Sequence, residues 1–450
     1  MSRYAVGVDI GTTTVSGAVI NLDTKAQAEF FCVPNDTNIV SAGDGIHEQD
    51  PDRILEKVQD ILKCITEKYS GIVSVGVTGQ MHGILYTDSL GNAVSDLITW
   101  QDGRGDRPFG DSTYVGEIKR LTGERVATGF GLVSHYYNVR NDLVPENAVS
   151  ICSIMDFVTM KLCGRDRPVM HDSVAASLGL FDVNGCSFKA EAVNALGISK
   201  DILPSVTSEF AVCGEWNGIP VSVGIGDNQA SILGTVKDVD SSVLVNIGTG
   251  SQVSAVAGEN TVCHKDTELR PLVKGKRILC GSALSGGASY ALLERFFRDF
   301  SIASGHGCGP VYDVVNRLAE ESFRNGEAPL DVSALFRGKR SDPAATGSIT
   351  GITVGNFTPG RLALGFIYAI CRELYGYIGD DLSGRAAVVA SGNAVQKIGI
   401  MREVIEDVFG LPVSISDGRE EASVGTALFS AVAANELDNI NDFADFISYK

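Results

Sequence analysis

One sequence pattern occurs twice, at two points about half a chain apart. Residues 4–20 read YAVGVDIGTTTVSGAVI and residues 241–257 read SSVLVNIGTGSQVSAVA. Each copy has an apolar strand, an Asp or Asn, then Ile-Gly-Thr and a second alternating strand, which is typical of a β-hairpin with a small-residue turn. Asn246 holds the place of Asp9 in a chain of 450 residues. Duplication of one domain is the simplest explanation, and chance similarity of two hairpins is the alternative.

Strand and helix patterns alternate between and after the two hairpins, which predicts an α/β fold of two duplicated domains. A helix is predicted from Pro51, with Asp50 as its cap and an apolar face every three or four residues, and a buried strand over 71–80. The boundary is predicted at 235/236, giving domains 1–235 and 236–450. The last segment, ELDNINDFADFI, is predicted to return to the first domain.

Composition excludes several classes of protein. The formal net charge of −18 would repel nucleic acid and anionic lipid. The first residues carry no signal-peptide pattern and no segment has the apolar length of a membrane span, which predicts a cytoplasmic protein. The ten cysteines show no C-x-x-C pair and are interpreted as buried thiols rather than disulfides or metal ligands.

Phosphate-binding loops of the common kinds are absent from the sequence. No G-x-x-x-x-G-K-[ST] occurs, and no G-x-G-x-x-G follows a strand. The two Gly-Thr turns remain as candidates, because exposed backbone N–H groups and hydroxyls can bind phosphate oxygens. Asp9, just before the first turn, is the kind of oxygen ligand that Mg²⁺ prefers. A plain tight hairpin is the alternative for either turn alone.

Three more polar loops follow apolar strands. They are GQMHG at 79–83, TWQDGR at 99–104 and GDNQ at 226–229. Open α/β sheets bind ligands at strand ends, so these loops predict a small polar pocket with one aromatic wall. Asp227 is the candidate base. A core position for Trp100 and an ordinary turn for Asp227 are the alternatives.

The motifs resemble those of the FGGY family of carbohydrate kinases along nearly the whole chain. The matching stretches are DIGTTT, HEQDP, GQMHG, TWQDGR, GDNQAS, NIGTGS, SGNA and EEASVGTAL, in the family's order. The resemblance implies two actin-like domains of the ribonuclease-H type, with ATP in the cleft between them. Within the family, residues 127–137, 155–177 and 409–416 are similar to the sedoheptulokinase branch.

The resemblance also implies roles, residue by residue. Asp227 would be the general base and Asp9 would organise Mg²⁺. The ATP site would include Gly11, Thr12, Thr13, Gly248, Thr249, Gly250, Gly392 and Asn393. The sugar site would include Gln80, Met81, His82, Trp100, Asp102, Arg104 and Asn228.

Two positions depart from the family pattern. Most members carry Lys or Arg seven residues after the first Asp, where this chain has Ser16. The adenosine loop is usually Gly-Gly-Gly, and here it is Ser391-Gly392-Asn393. The first departure removes a cation near the phosphates, and the second adds side chains near the purine.

The resulting hypothesis is an ATP- and Mg²⁺-dependent kinase that converts sedoheptulose to sedoheptulose 7-phosphate, with D-xylulose or D-ribulose as the alternative substrate. A catalytically silent sugar-binding member of the family is a second hypothesis, motivated by Ser16. A chaperone-like or filament-forming ATPase is a third, and the polyol-type loops argue against it. The expected partner is a small sugar, with a homodimer as a further hypothesis.

Overall fold

Both copies of the repeated pattern form antiparallel hairpins in the computed structural model, as the sequence predicts. The structure describes residues 2–39, 43–259, 261–307, 309–339, 341–342 and 344–450. The turns differ by one residue, since Ile10 faces Val15 in the first hairpin whereas Ile247 faces Ser251 in the second. The two hairpins are therefore alike in their strands and different in their loops.

The chain forms two compact units. Unit 1 comprises Met1–Lys237, Pro271–Lys276 and Gly418–Ile447. Unit 2 comprises Asp238–Arg270, Arg277–Asp417 and Ser448–Lys450. Each unit has its own hydrophobic core.

Each unit is built on one mixed sheet. The strands of the unit 1 sheet are β1 Tyr4–Ile10, β2 Thr14–Asn21, β3 Ala26–Pro34, β4 Ile72–Gly79, β5 Val212–Trp216, β6 Ile219–Ser222 and β7 Ile225–Gly226. The strands of the unit 2 sheet are β8 Ser242–Ile247, β9 Ser251–Val256, β10 Thr267–Pro271, β11 Arg277–Ala283, β12 Ala387–Ser391 and β13 Val413–Ile415.

The two sheets share a topology. The order in unit 1 is β5-β6-β4-β1-β2-β3, with β7 also paired to β4, and the order in unit 2 is β10-β11-β9-β8-β12-β13. Each sheet contains a three-stranded antiparallel meander, which is β1–β3 in unit 1 and β8, β9 and β11 in unit 2. On its other side, the first hairpin strand pairs with a parallel strand, β4 in unit 1 and β12 in unit 2. The repeat seen in the sequence thus extends to whole sheets.

Helices cover these sheets. Unit 1 contains α1 Pro51–Lys68, α2 Tyr114–Thr122, α3 Gly131–Arg140, α4 Ile154–Leu162, α5 Asp172–Ala175, α6 Ala190–Ala195 and α7 Asp227–Thr235. Unit 2 contains α8 Gly287–Ala303, α9 Tyr312–Arg324, α10 Pro359–Ile378, α11 Asn393–Lys397 and α12 Met401–Phe409. The last helix, α13 Glu421–Ala433, belongs to unit 1.

Short elements complete the fold. The strands outside the two sheets are Asn38–Ile39, Glu48–Gln49, Leu85–Thr87, Leu97–Ile98, Pro108–Phe109, Ser112–Thr113, Ser150–Cys152, Val169–His171, Phe181–Asp182, Ser187–Phe188, Ser205–Thr207, Asp331–Ser333 and Ser348–Thr350. The 3-10 helices are Arg104–Asp106, Ala176–Leu178, Lys200–Ile202, Gly379–Asp381 and Ile440–Phe446.

The predicted start of α1 is confirmed. Pro51 is the first helical residue, and the Asp50 side chain accepts hydrogen bonds from the backbone N–H groups of Asp52 and Arg53. Such a cap satisfies donors that have no partner inside the helix, and Pro there loses no hydrogen bond. Ile54, like the other residues of the predicted apolar face, is buried in unit 1.

The cysteine prediction is only partly right. None of the nine described cysteines is in a disulfide, and four of them are buried. Cys32 and Cys64 are exposed, however, so the prediction of buried thiols is wrong for these two. Both lie on surface positions of β3 and α1, where a small apolar side chain is tolerated. Cys308 lies outside the described residues. No helix in the described part of the chain has the length and apolar character needed to cross a membrane.

Glycines allow α13 to lie directly against β1 and α7. A Cβ atom on Gly7 would stand 1.9 Å from the Ser423 carbonyl oxygen. A Cβ atom on Gly425 would stand 1.9 Å from the Ala230 carbonyl oxygen. Backbone thus packs on backbone, and no side chain fits between these elements.

We expect Gly425→Ala to destabilise unit 1 by at least about 1–3 kcal/mol, because overpacking a close backbone contact forces the helices apart. Gly376→Ala is the matched control, since Gly376 is an exposed residue of α10 whose Cβ would meet nothing within 4 Å. The control should gain stability by about 0.5–1 kcal/mol. Differential scanning calorimetry measures both, and equal melting temperatures would contradict this packing.

Candidate active site

Three parallel strands of unit 1 end in one row. β1 and β7 both pair with β4, so that Ile10, Gly79 and Gly226 lie side by side. The loops that follow these strands, which include Gln80 and Asp227, therefore begin at the same edge of the sheet. Ligands of open α/β sheets bind at such an edge.

The turn after β1 is tied to two predicted sugar-site residues. The Thr12 hydroxyl donates to Gln80 Oε1 (3.2 Å) and accepts from Trp100 Nε1 (2.9 Å). Trp100 is 47% exposed, so it does not lie in the hydrophobic core. Gln49 Nε2 donates to the Thr12 carbonyl oxygen (2.9 Å), and Gln49 Oε1 accepts from Gln80 Nε2 (2.7 Å). The structure therefore brings Thr12, Gln80 and Trp100 together.

Asn35 fixes the rest of this turn. Its Nδ2 donates to the Gly11 carbonyl oxygen, and its backbone N–H donates to the Thr13 carbonyl oxygen, both at 2.8 Å. Sequence reasoning missed Asn35 and Gln49. Gln49 stands in the quoted HEQDP stretch, which was a usable signal, whereas Asn35 had none.

The loop after β4 is held in an unusual conformation. His82 has a φ of +73°, in the left-handed region that disfavours side chains other than Gly. Its backbone N–H donates to Ser177 Oγ (3.1 Å), its Nδ1 lies 2.7 Å from the Ser177 carbonyl oxygen, and its ring stacks on Phe130 with centroids 4.7 Å apart. Such backbone strain persists where surrounding contacts fix it and is frequent at functional sites.

Met81 links this loop to Asp227. The Met81 side chain is 5% exposed, and a Cβ atom on Gly226 would stand 2.9 Å from its sulfur. Gly226 also donates its N–H to Ser173 Oγ (3.1 Å). Asp227 then begins α7 and accepts a hydrogen bond from the Asn228 backbone N–H (2.6 Å). Asp227 is half-buried, and Asn228 is buried.

The carboxyl of Asp9 has a raised pKa. Burial of its carboxyl, with added repulsion from Asp227 and Glu420, raises the pKa of Asp9 to about 7. The residue as a whole keeps some solvent exposure, but its carboxyl is desolvated. Ser16 lies directly opposite Asp9 in the hairpin and is 3% exposed. Cross-strand neighbours share a face of the sheet, so a cation at position 16 would lie beside this carboxyl, and serine supplies none.

The acidic residues fit Mg²⁺ only in part. No three His, Cys, Asp or Glu side chains are grouped as metal ligands in the described ranges. Mg²⁺ commonly takes one or two carboxylates and keeps several waters or phosphate oxygens. Asp9 with Asp227 and Glu420 nearby suits such an ion. Burial is the main cause of the raised pKa of Asp9, and the two neighbouring acids add negative charge that a divalent cation would neutralise. Glu420 was missed by sequence reasoning, although it begins the quoted EEASVGTAL stretch.

Asp102 and Arg104 are engaged with protein partners. Asp102 is fully buried and accepts from the His47 backbone N–H (3.0 Å) and from Arg104 Nε (2.7 Å). The Arg104 guanidinium also donates to Asn138 Oδ1 (2.9 Å) and Glu48 Oε1 (2.7 Å). These contacts shape the loop that carries Trp100. A direct contact of either residue with sugar stays a prediction.

Unit 2 has a cavity of about 470 Å³ beside its hairpin turn. Gly248 and Thr249 line it. Gly287, the first residue of α8, is bound to the turn because its N–H donates to the Gly248 carbonyl oxygen (2.8 Å). A Cβ on Gly287 would stand 2.6 Å from that oxygen, so glycine is required there. A Cβ on Gly286 would likewise stand 2.6 Å from the Gly250 carbonyl oxygen, but Gly250 does not line the cavity.

The predicted adenosine loop lies at the same cavity. Gly392 has a φ of +96°, and a Cβ there would stand 2.6 Å from the Ile247 carbonyl oxygen, so this position requires glycine. Asn393 lines the cavity. Sequence reasoning missed most of the other lining residues, because their spacing indicated only amphipathic helices; among them are Tyr290, Tyr312, Asn316 and Lys397.

Tyr290, Asn316 and Lys397 form one chain of hydrogen bonds. Tyr290 Oη donates to Asn316 Oδ1 (2.8 Å), and Asn316 Nδ2 donates to the Lys397 carbonyl oxygen (3.2 Å). The ring of Tyr312 lies nearly parallel to that of Tyr290, with centroids 6.4 Å apart. The cavity thus has glycine-lined backbone at one side and aromatic and amide groups at the other, which suits a planar base with attached phosphates.

Comparisons with known proteins agree with this architecture. The mouse (Mus musculus) sedoheptulokinase is 25% identical over 471 residues, covering 94% of this chain and 96% of that protein. The solved gluconate kinase from Lactobacillus acidophilus superposes with a TM-score of 0.83 at 20% identity, covering 100% of this chain and 93% of that one. The xylulose kinase from Rhodospirillum rubrum gives a TM-score of 0.84 at 20% identity, with the same coverage.

These likenesses confirm the predicted fold class, an α/β protein of two actin-like domains. The model of the FGGY family of carbohydrate kinases, N-terminal domain, matches residues 4–243, which is more than half of the chain. The chain therefore belongs to the FGGY family of carbohydrate kinases, and is an enzyme that phosphorylates a small sugar with ATP.

Proposed function

We propose that this kinase phosphorylates the terminal hydroxyl of a ketose, with sedoheptulose as the substrate and sedoheptulose 7-phosphate as the product. The observation that supports this most is the loop at Gln80–His82. Contacts with Phe130 and Ser177 hold this loop in place. Its Met81 packs against Gly226, the last strand residue before Asp227. Phe130 and Ser177 stand in two of the three segments that resemble the sedoheptulokinase branch, 127–137 and 155–177.

Asp227 is proposed as the general base. Its carboxylate would orient the acceptor hydroxyl and take its proton as the new P–O bond forms. Gln80, Met81, His82, Trp100 and Asn228 would surround the sugar. The exposed ring of Trp100 offers an apolar face to the sugar's C–H groups, while amide and backbone groups pair with its hydroxyls.

The nucleotide is proposed to bind in the unit 2 cavity. Gly248, Thr249 and Asn393 line it, and Tyr290 and Tyr312 offer aromatic surface for a base. Mg²⁺ would neutralise phosphate charge when bound. Asp9 would organise that ion, and the contacts of Gly11, Thr12, Thr13, Gly250 and Gly392 with nucleotide stay predictions.

A second candidate function rests on Ser16. Because no cation lies opposite Asp9, the sequence raises a sugar-binding member that has lost turnover as the alternative, whereas membership of the kinase family favours the active enzyme. Release of ADP in the presence of ketose separates the two, since the silent form would bind sugar and release none. A cytoplasmic location and a homodimer also stay predictions.

The first expected result concerns Asp227. Asp227→Asn keeps the shape and removes the basicity, so turnover should fall by about 10²–10⁴-fold while sugar affinity by calorimetry stays within about threefold. Asp201→Asn, at an exposed position, is the control and should keep full turnover. A variant at position 227 that keeps half of wild-type turnover would remove Asp227 from the role of base.

A pH experiment tests the charge state of Asp9. Since the pKa of Asp9 is raised to about 7, activity should decline as the pH falls below about 7 and the carboxyl becomes protonated. Ser16→Lys places a cation opposite it and lowers that pKa, so kcat/KM for ATP should persist to lower pH. Ser16→Met matches the side-chain length without the charge. If kcat/KM for ATP depends on pH in the same way in the Lys and Met variants, the raised pKa of Asp9 does not control activity.

The substrate is tested with a panel of sedoheptulose, D-xylulose, D-ribulose, gluconate and glycerol in a coupled ADP assay. We expect kcat/KM to be highest for sedoheptulose. Glycerol should be poorest, because each site polar group left unpaired costs about 1–3 kcal/mol. A tenfold preference for D-xylulose would overturn the substrate and leave the kinase assignment standing.

A further inference from the structure

One short helical turn of unit 1 carries two buried serines, Ser173 and Ser177. Ser173 lies in α5, and Ser177 lies in the 3-10 helix Ala176–Leu178 that directly continues it. Residues four apart lie on the same side of a helical turn, about 5–6 Å apart at their Cβ atoms. The backbone of this turn therefore fixes the spacing between the two serine hydroxyls.

Each serine holds a different part of the candidate active site. Ser173 Oγ accepts from the N–H of Gly226 (3.1 Å), which is the residue before Asp227. Ser177 Oγ accepts from the His82 N–H (3.1 Å), and the Ser177 carbonyl oxygen accepts from His82 Nδ1 (2.7 Å). The start of α7 and the sugar loop are thus bound to the same helical turn, one through each serine.

Further hydrogen bonds restrict the orientation of both hydroxyls. The Ser173 N–H donates to His171 Nδ1 (3.2 Å), and Ser173 Oγ lies 2.8 Å from the same nitrogen. His171 and Ser173 are both fully buried. The Ser177 hydroxyl donates its proton to the Val174 carbonyl oxygen (2.7 Å), so its oxygen is oriented to accept from a further donor.

We propose that Ser173 and Ser177 are positioning residues, which together set the distance between Asp227 and the sugar loop at His82. A buried hydroxyl costs free energy unless it is hydrogen-bonded, and alanine would continue this helical turn without that cost. Both hydroxyls bond instead to backbone N–H groups beside the reacting groups, where a misplacement of about 1 Å can lower turnover by about 100-fold. This role rests on the proposed function, because it acts through Asp227 and His82.

Removal of each hydroxyl should have a different kinetic effect. Ser173→Ala should lower kcat by about 10–100-fold and leave the KM for sugar within about threefold, because the base is misaligned while the sugar loop is intact. Ser177→Ala should raise the KM for sugar by about 3–10-fold, the factor that one hydrogen bond is worth, and leave kcat within about threefold. The coupled ADP assay measures both with ATP and sedoheptulose, or with the best substrate of the panel.

Ser150→Ala is the matched control. Ser150 is 2% exposed in the same unit, and its hydroxyl donates to the Ile151 carbonyl oxygen (3.2 Å), outside the proposed site. This variant also loses a buried hydrogen bond, so its melting temperature should fall while kcat and KM stay at the wild-type values.

A double-mutant cycle separates positioning from a general structural effect. In the Asp227→Asn background, Ser173→Ala should lower kcat by no more than about threefold, because the group that it orients has already lost its basicity. Loss of kcat by the same factor in both backgrounds would overturn the positioning role.

Three further results would also overturn it. They are wild-type kcat in Ser173→Ala, wild-type sugar KM in Ser177→Ala, and a loss of kcat in Ser150→Ala as large as that in Ser173→Ala. If Asp227→Asn is impaired in the same assays, these results leave Asp227 as the base. Wild-type turnover in Asp227→Asn would instead remove the proposed base and the positioning role with it.

Discussion

The site depends first on the register of parallel strands in unit 1. Because β4 pairs with β1 on one side and with β7 on the other, Ile10, Gly79 and Gly226 end in one row. The pairing is tight: a Cβ on Gly79 would stand 2.7 Å from the Ile10 carbonyl oxygen. A shift of one residue would turn each following side chain to the opposite face of the sheet. The relation of Gln80 to Asp227 is thus fixed by backbone hydrogen bonds before any side chain contributes.

Asp9 shows that the site is organised for charge rather than for stability. A carboxyl with a folded pKa of about 7, against an ordinary value near 4, is ionised at neutral pH only at the expense of folding free energy. Because the pKa of this carboxyl is raised in the folded state, the free energy of unfolding decreases as the pH rises from about 4 to about 7. A cation at position 16 would reduce this loss, and Ser16 leaves it in place. The unit therefore retains a repulsion that a bound cation can relieve.

Local sequence patterns predicted much of the fold, because turns, helix caps and strand alternation depend on interactions among a few neighbouring residues. Both hairpins, the Asp50 cap and the strand before Gln80 follow from short-range rules of turns, caps and alternation. The roles of Asp102 and Arg104 could not be derived this way. Whether such a pair faces sugar or forms a buried ion pair depends on Glu48 and Asn138, which are distant in sequence. Tyr290 and Tyr312 likewise carry ordinary helical spacing, and only tertiary packing places them at a cavity.

Unit 1 is discontinuous in sequence, and this has a consequence for folding. The helix α13 packs on β1 through Gly7, about 400 residues earlier in the chain, and on α7 through Gly425. Contacts of such long sequence separation slow folding, because the loop between them must close first. Until Gly418–Ile447 is synthesised, the faces of β1 and α7 that receive α13 lack their cover. Asp9 lies on β1 and Asp227 begins α7, so the same late helix completes the elements that carry the two carboxylates. The elements that carry Asp9 and Asp227 therefore reach their final packing only after α13 has been synthesised. Only this packing offsets the free-energy cost of bringing the two carboxylates together.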